Sequence, residues 1–412
     1  MKRMLSMFLA AAMMTAALPM LTSCNSAAYK ENKEGIILAD SENARMLGRG
    51  YYGLFKKLDE EDQDGDGKKL VKFEDVYHFN WPASGFEISF NGTGLKAQIL
   101  SEAGGSKDNH VMIYSLVDGD DEPDNAKFIE LNAVNGWYTL CEGLPNGTHT
   151  VKVIRRDSMG TGGGRDTALR AFDVLGGSTM NKAPAARKYK VEAFGDSITC
   201  GDELYIKGFE ESGQRISDAD GWQTYEAYVA RQFDADLNVV SISGNGLICS
   251  LMGGKFLEIP DRFYNTDEFN SGKKGDWDFA NYQSDLVLIN LGTNDCAGVP
   301  DNYSYEEFEQ AYVDFCTNIK KAYPNCHIVA LLGMMSGRGK VWPSIENAAK
   351  RINEQYGDGT MFTLWLELPG ISDSPVEGGG HPSAEAQALA GEYICKLVEE
   401  NLGWTRAEKY KK

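Results

Sequence analysis

The chain has 412 residues, with 41 Lys and Arg against 60 Asp and Glu, a formal charge of −19 and a pI near 4.8. That length suits two domains or three, and so acidic a chain lacks the electrostatic footprint that binding to a phosphate backbone requires. At 42% hydrophobic and 11% aromatic it can bury large cores, and eight Cys over this length do not make a small disulfide scaffold. CxxC and HExxH are both absent, so neither supplies a zinc-site or thioredoxin-like reading.

Lys2 and Arg3 precede an apolar run from Met4 to Met20, the layout of an export signal and short for a stable membrane span. The run ends Leu21-Thr22-Ser23-Cys24, which resembles the bacterial lipobox, where the Cys is acylated and becomes the first mature residue. The expectation is an exported, lipid-anchored bacterial protein: signal peptide over 1–24 with lipidated Cys24, and a polar tether over 25–34. Of the seven remaining Cys several lie in apolar strand or helix patterns, where buried thiols are the expectation, and which of them, if any, are bridged stays open at this point.

From 35 to 180 the pattern is all-β. Short runs at Phe86–Phe90, Leu95–Leu100, His110–Val117, Trp137–Leu140 and Thr148–Arg155 are separated by Gly, Asn and Asp clusters, the spacing of a β-sandwich or jelly roll. Alternation is clearest from Thr148 to Ile154. The Pro, Ala and basic stretch from Asn181 to Lys188 marks the boundary, and a second domain is expected over 186–405. There, strand-like runs at Tyr189–Phe194, Leu237–Ile242, Leu286–Leu291, His327–Leu332 and Met361–Leu366 alternate with helical stretches. One helix starts at the capping box Ser304-x-x-Glu307 and presents Phe308, Tyr312, Phe315 and Ile319 on one face. The last, Ala384–Asn401, is capped by Ser383. Alternating β and α predicts a parallel sheet covered on both faces, with its active site at the carboxyl ends of the strands.

Four fragments fall at those ends. Phe194-Gly195-Asp196-Ser197-Ile198-Thr199 follows the first strand and places a Ser at a strand-to-helix turn. Ser243-Gly244-Asn245-Gly246 follows the second, with a Gly whose N–H can face an oxyanion, and Gly292-Thr293-Asn294-Asp295 follows the third with a side-chain amide. Gly380-His381-Pro382-Ser383 precedes the last helix and supplies a base. Together they resemble the SGNH hydrolase superfamily, the GDSL-type esterases, over about residues 189–402. Its four named residues fall on Ser197, Gly244, Asn294 and His381. Upstream, Phe90-Asn91-Gly92-Thr93-Gly94-Leu95-Lys96 and the run from Gly143 to Val151, with Arg155 and Arg156 after it, are similar to motifs of the family-two carbohydrate esterases.

That resemblance implies a jelly roll joined to a flavodoxin-like parallel α/β sheet, and a serine esterase that removes O-acetyl groups from polysaccharides of the xylan or glucomannan type. It implies Ser197 and His381 as catalytic residues, an oxyanion hole from the Ser197 and Gly244 N–H groups with Asn294, an acetylated polysaccharide or oligosaccharide as partner, and no metal or organic cofactor. Most of the superfamily places an Asp three residues before the His; here that residue is Gly378. The departure fits a Ser–His dyad held by a backbone carbonyl, which family-two esterases are known to use, while Asp373 or Glu377 are alternative acids. Gly380 stands where an aromatic often precedes the His. Two other functions stay open: an esterase for another exported acyl ester, and a glycan-binding lipoprotein with an inactive site.

Other signals read as structural. Asp62-x-Asp64-x-Asp66-Gly67 lacks the Glu a calcium loop needs at its twelfth position, and Gly160–Arg165 lacks a phosphate-loop ending. His78, His110, His149 and His327 show no ligand spacing, and the absence of GxSxG argues against an α/β-hydrolase elbow. Trp222 and Trp342, in loop-like contexts, are candidates for stacking on a sugar, with core packing as the alternative.

Overall fold

The computed structural model describes residues 36–59, 69–102, 110–157, 166–177, 179–205, 216–255, 258–267, 276–372 and 380–411. The expected signal peptide, Cys24 and tether, together with both loops read above as structural (62–67 and 160–165), lie outside them. So do Asp373, Glu377 and Gly378.

The first part consists of β1 (Ile37–Leu38), β2 (Ala44–Leu47), β3 (Tyr51–Asp59), β4 (Lys69–His78), β5 (Gly85–Gly92), β6 (Gly94–Ser101), β7 (Val111–Val117), β8 (Lys127–Leu131), β9 (Asn135–Cys141), β10 (Gly147–Arg155), β11 (Thr167–Leu175) and β12 (Thr179–Met180). They pair into two antiparallel sheets. One runs β3-β4-β11-β6-β9 with β1 on β11, the other β12-β5-β10-β7-β8 with β2 on β5. Alternation decides which side chains go between them. Val151 and Val153 lie opposite Ile88 and Phe86 on the same face and pack against Leu95, Ala97, Ile99, Leu169 and Phe172 from the other sheet. Each such fully buried Val, Leu, Ile or Phe side chain contributes about 1.5–3 kcal/mol.

The second face of the β5-β10-β7 sheet is covered too. Tyr114, Leu116 and Ile154, which point away from the sandwich core, join Val191, Ala193 and Trp222 of the following domain in one apolar cluster. This explains why β7 reads as a continuous apolar run: both of its faces are buried.

The second part holds the parallel sheet, built from β13 (Tyr189–Gly195), β14 (Ala235–Ser241), β15 (Leu286–Asn290), β16 (His327–Leu332) and β17 (Met361–Trp365) in the order β14-β13-β15-β16-β17. Its helices are α1 (Ser197–Cys200), α2 (Tyr225–Phe233), α3 (Ile259–Arg262), α4 (Tyr305–Ala322), α5 (Trp342–Tyr356) and α6 (Ala384–Leu402). Successive strand residues alternate between two cores. Val287, Ile289, Ile328 and Ala330 pack with Phe308, Phe315 and Ile345 of α4 and α5. Leu286, Leu288, Val329 and Leu331 pack with Val229, Phe233, Ala390 and Ile394 of α2 and α6. In chain order the strands run 2-1-3-4-5, the flavodoxin-like arrangement, and the order reverses between β13 and β15. A crevice at that switch point is where such sheets bind ligands.

Candidate active site

Ser197 begins α1 one residue after Asp196, which caps the helix: its Oδ1 accepts the Ile198 N–H at 3.0 Å. Only a glycine fits at 195, since a Cβ there would come within 1.9 Å of Thr199 Oγ1. The turn therefore folds back tightly, and among the described residues the Ser197 N–H, a first-turn donor, has no acceptor. The helix stops after one turn at Gly201, with φ +71°.

Gly244 has φ +77°, and its carbonyl accepts the Leu251 N–H at 2.9 Å. Among the described residues its own N–H has no acceptor. Beyond it the backbone is gathered by Asp295. One carboxylate oxygen takes the N–H groups of Leu247, Ile248 and Cys249 at 3.0, 2.8 and 3.2 Å, and the other takes Leu247 at 2.9 Å. Glu258 adds a bond to the Gly246 N–H at 2.9 Å. Burial pushes the Asp295 carboxyl up to about 6 despite those donors.

Asn294 joins the two loops. Its amide donates to the Asn245 carbonyl at 2.8 Å and to Asp196 Oδ2 at 3.2 Å, so it lies against the nucleophile turn with both hydrogens engaged. Burial pushes Asp196 up to about 7, with the Ile198 N–H and the charge of His381 acting in the opposite direction.

His381 arrives from the far end of the chain. Gln387, 1% exposed in the second turn of α6, donates to the Ile198 carbonyl at 2.8 Å and accepts the Tyr225 N–H at 3.0 Å. This ties the start of α6 to the Ser197 helix. His381 Nδ1 meets Glu203 Oε2 at 2.7 Å. Burial disfavours the imidazolium, but the hydrogen bond to Glu203 and the charges of Asp202, Glu203 and Asp196 outweigh it and raise the His381 pKa above the usual value. Those acids all lie within six residues of Ser197, so the four fragments meet at one carboxyl edge. The sequence reading did not single out Glu203. Its signal was the pair Asp202-Glu203 just past the glycine that ends the nucleophile helix.

An exposed apolar lip borders the oxyanion loop: Leu251 is 46% and Met252 84% exposed. Neither tryptophan proposed for stacking is free. The Trp222 indole is buried and donates to the Asp121 carbonyl at 3.0 Å, and half-buried Trp342 packs on Trp365 with ring centroids 5.2 Å apart. The other histidines make structural bonds, His78 to Asp166, His110 to Glu130, His149 to Asp118 and His327 to the Gly359 carbonyl. Seven described Cys are buried free thiols. Among the described residues no cluster of His, Cys, Asp and Glu could hold a metal ion.

A doubly wound sheet with a Ser at the turn after its first strand, and a glycine, an amide and a His on the neighbouring loops, is the arrangement expected of a GDSL-like acylhydrolase fold. Residues 193–389 match the GDSL-like Lipase/Acylhydrolase family and residues 71–184 match the carbohydrate esterase 2 N-terminal domain, so the chain combines these two domains. It is 27% identical over 327 residues to the cellulase/esterase CelE of Acetivibrio thermocellus, covering 79% of this chain but only 38% of that protein. It is 24% identical over 389 residues to the acetylxylan esterase / glucomannan deacetylase of Cellvibrio japonicus, covering 93% of this chain and 96% of that one. The fold is that of family-two carbohydrate esterases. The Clostridium thermocellum enzyme, solved with cellohexaose, superposes with a TM-score of 0.69 at 24% identity over 88% of this chain and 99% of its own. The Cellvibrio japonicus enzyme gives 0.70 at 22% identity over 90% and 98%.

Proposed function

We propose that this protein is a serine esterase that removes O-acetyl groups from polysaccharides of the xylan or glucomannan type. What supports this is that Asn294 bonds both the Asn245 carbonyl and Asp196, and that the charge of His381 acts on Asp196 beside Ser197, on the same two-domain build as the family-two esterases. His381 Nε2 takes the Ser197 hydroxyl proton while the oxygen attacks the acetyl carbonyl. The developing oxyanion is held by the N–H groups of Ser197 and Gly244 and by Asn294, whose longer bond, the one to Asp196, is the one it exchanges for the oxyanion. One such donor is worth roughly 3–4 kcal/mol of barrier. His381 passes the proton to the departing sugar oxygen, and the acetyl group stays on Ser197. Water then loses a proton to His381 and attacks the acetyl-Ser, which releases acetate and restores the Ser hydroxyl.

The basic start, the apolar run and the Cys24 context support export and attachment through lipid on Cys24, which would bring the site to polymers outside the cytoplasm. The test is acetate release from acetylated xylan and acetylated glucomannan by the chain from Asn25 onward, beside Ser197→Ala. Release by the parent with loss of about 10³-fold or more in the variant is expected. Cleavage of a small aryl acetate but of neither polymer would overturn the polysaccharide assignment, and no cleavage of any ester would overturn the enzyme.

A further inference from the structure

We propose that Glu203 is the acid that positions His381, so that the site is a Ser–His–Glu triad whose acid follows the nucleophile in the chain instead of preceding the His. The proposal rests on the esterase reading above for its catalytic consequence, but not for the contact itself. Position 378, where most of the superfamily has an Asp, is Gly and carries no carboxylate. Glu203 Oε2 instead lies 2.7 Å from His381 Nδ1, with side chains only 8% and 11% exposed. An ionised carboxylate has no hydrogen to give, so Nδ1 carries the proton and Nε2 is left with the lone pair that deprotonation of Ser197 requires.

The backbone is shaped to deliver this one side chain. Gly201 turns the chain through φ +71°, the Asp202 N–H returns to the Ser197 carbonyl at 3.0 Å, and Glu203 itself sits at φ +56°, a left-handed conformation that a Glu adopts at a cost. A glycine would meet the backbone demand without strain, so the carboxylate is what residue 203 contributes. The neighbouring acid Asp196 is directed elsewhere: its Oδ1 accepts from Ile198 and its Oδ2 from Asn294. Nucleophile, acid and the first oxyanion N–H thus come from one stretch of seven residues, and only the base has to be brought from elsewhere.

The charged groups acting on His381 among the described residues are Asp196, Asp202 and Glu203, all on the nucleophile turn. Glu203→Gln keeps the shape of the side chain and removes its charge; Glu203→Asp keeps the charge on a shorter arm. Two readouts apply. The first, ring titration of His381 by NMR, needs no substrate, and its resonance is assigned by its absence in His381→Gln. The second is the pH profile of kcat and KM on a small aryl acetate. Glu203→Gln is expected to lower the His381 pKa. It should also reduce kcat by about 10²–10⁴ with KM within about threefold, and move the acid limb of kcat/KM to lower pH. Glu203→Asp should recover part of the loss. A natively folded Glu203→Gln protein with an unchanged His381 pKa, or with kcat within about threefold of the parent, overturns the proposal. Should the parent cleave no ester while Glu203→Gln still lowers the His381 pKa, the positioning contact stands and the esterase reading falls.

Discussion

Buried carboxylates are treated in opposite ways at the junction between the two domains and in the catalytic layer. At the junction they face cations. Arg49, fully buried, holds Glu192 of β13 through Nη2 at 2.9 Å and also donates to the carbonyls of Phe263 and Asn265. Arg45 bridges Glu87 of the sandwich and Asp236 of β14, and Arg187 adds a bond to Glu87 at 2.9 Å. Lys152 and Lys409 meet at Asp121. Burial opposes ionisation of Glu87 and of Asp121, yet these cations hold both below the usual carboxylate range. Near the nucleophile Asp196 and Asp295 accept N–H groups instead, and burial prevails at both and at Glu226 in the first turn of α2: Asp196 rises to about 7, Asp295 to about 6 and Glu226 to about 8. The paired acids Glu87 and Asp121 are held charged, and the ion pairs of the junction tie the two domains together. Unpaired ones shape loops and titrate near neutrality, where small changes in their surroundings alter their charge.

Breaking a junction pair should have the largest effect. Arg49→Met takes the cation away from the fully buried Glu192, which keeps only neutral partners, Asn238 Nδ2 at 3.4 Å and Tyr323 among them, in a site that also includes Trp277, whose ring lies 4.7 Å from the guanidinium. A loss of about 3–5 kcal/mol in unfolding free energy is expected by urea titration. Arg49→Met with Glu192→Leu should recover much of it, because the desolvated charge is gone. If the double variant is no more stable than the single, Arg49 acts through its two carbonyl bonds instead of through the pair. An intermediate effect is expected at Asp295. Asp295→Ala leaves the N–H groups of Leu247, Ile248 and Cys249 without their acceptor and frees the loop that sets Gly244. A fall in kcat on an aryl acetate of about 10–100-fold should follow, equivalent to about 1.4–2.7 kcal/mol. Asp295→Asn retains an acceptor oxygen at the same place, so its kcat should stay within about fivefold of the parent. Equal losses in the two variants would mean that the charge matters and not the acceptor.

The same contrast explains what could be read from the sequence. All five strands of the parallel sheet were visible because buried strands are near-continuous apolar runs between loop signals, and β16 agrees in both ends, His327–Leu332. In the sandwich β11 was missed. Its register shifts between Leu169 and Ala171, which breaks the period-two pattern that marks a strand, and Arg170 falls at the shift. The long hairpin of β3 and β4 carries a similar irregularity between Gly53 and Phe55. Ser197, Gly244, Asn294 and His381 could be singled out as candidates because each stands near a strand end or before a helix, where chain order already implies nearness. Glu203 acts across 178 residues of sequence, on a turn with no periodicity, so only the folded chain reveals its partner. Trp222 looked like a loop aromatic, because the sequence does not show that the sandwich docks over it and that Asp121 takes its indole N–H.

The smallest expected effect isolates burial from catalysis. Glu226 is fully buried one residue after Tyr225, whose hydroxyl meets Thr199 at 2.9 Å, and burial is the first cause of its rise to about 8, with Thr224, its own N–H and Arg231 acting against it. Its folded pKa thus exceeds the value near 4.5 of an exposed Glu. Between those two values the folded chain binds a proton that the unfolded chain releases, so this group favours folding less as pH rises from about 4.5 to about 8. Glu226→Gln has no proton to lose. It should match the parent in stability near pH 4.5 and exceed it by about 1–3 kcal/mol near pH 8, with kcat unchanged. Asp196 and Asp295 impose the same trend on both proteins and cancel in the difference, so the gap between the two melting curves across pH reports Glu226 alone. Curves that stay parallel from pH 4.5 to 8 would mean that Glu226 is ionised in the folded state, with Arg231 neutralising it as the junction arginines neutralise theirs.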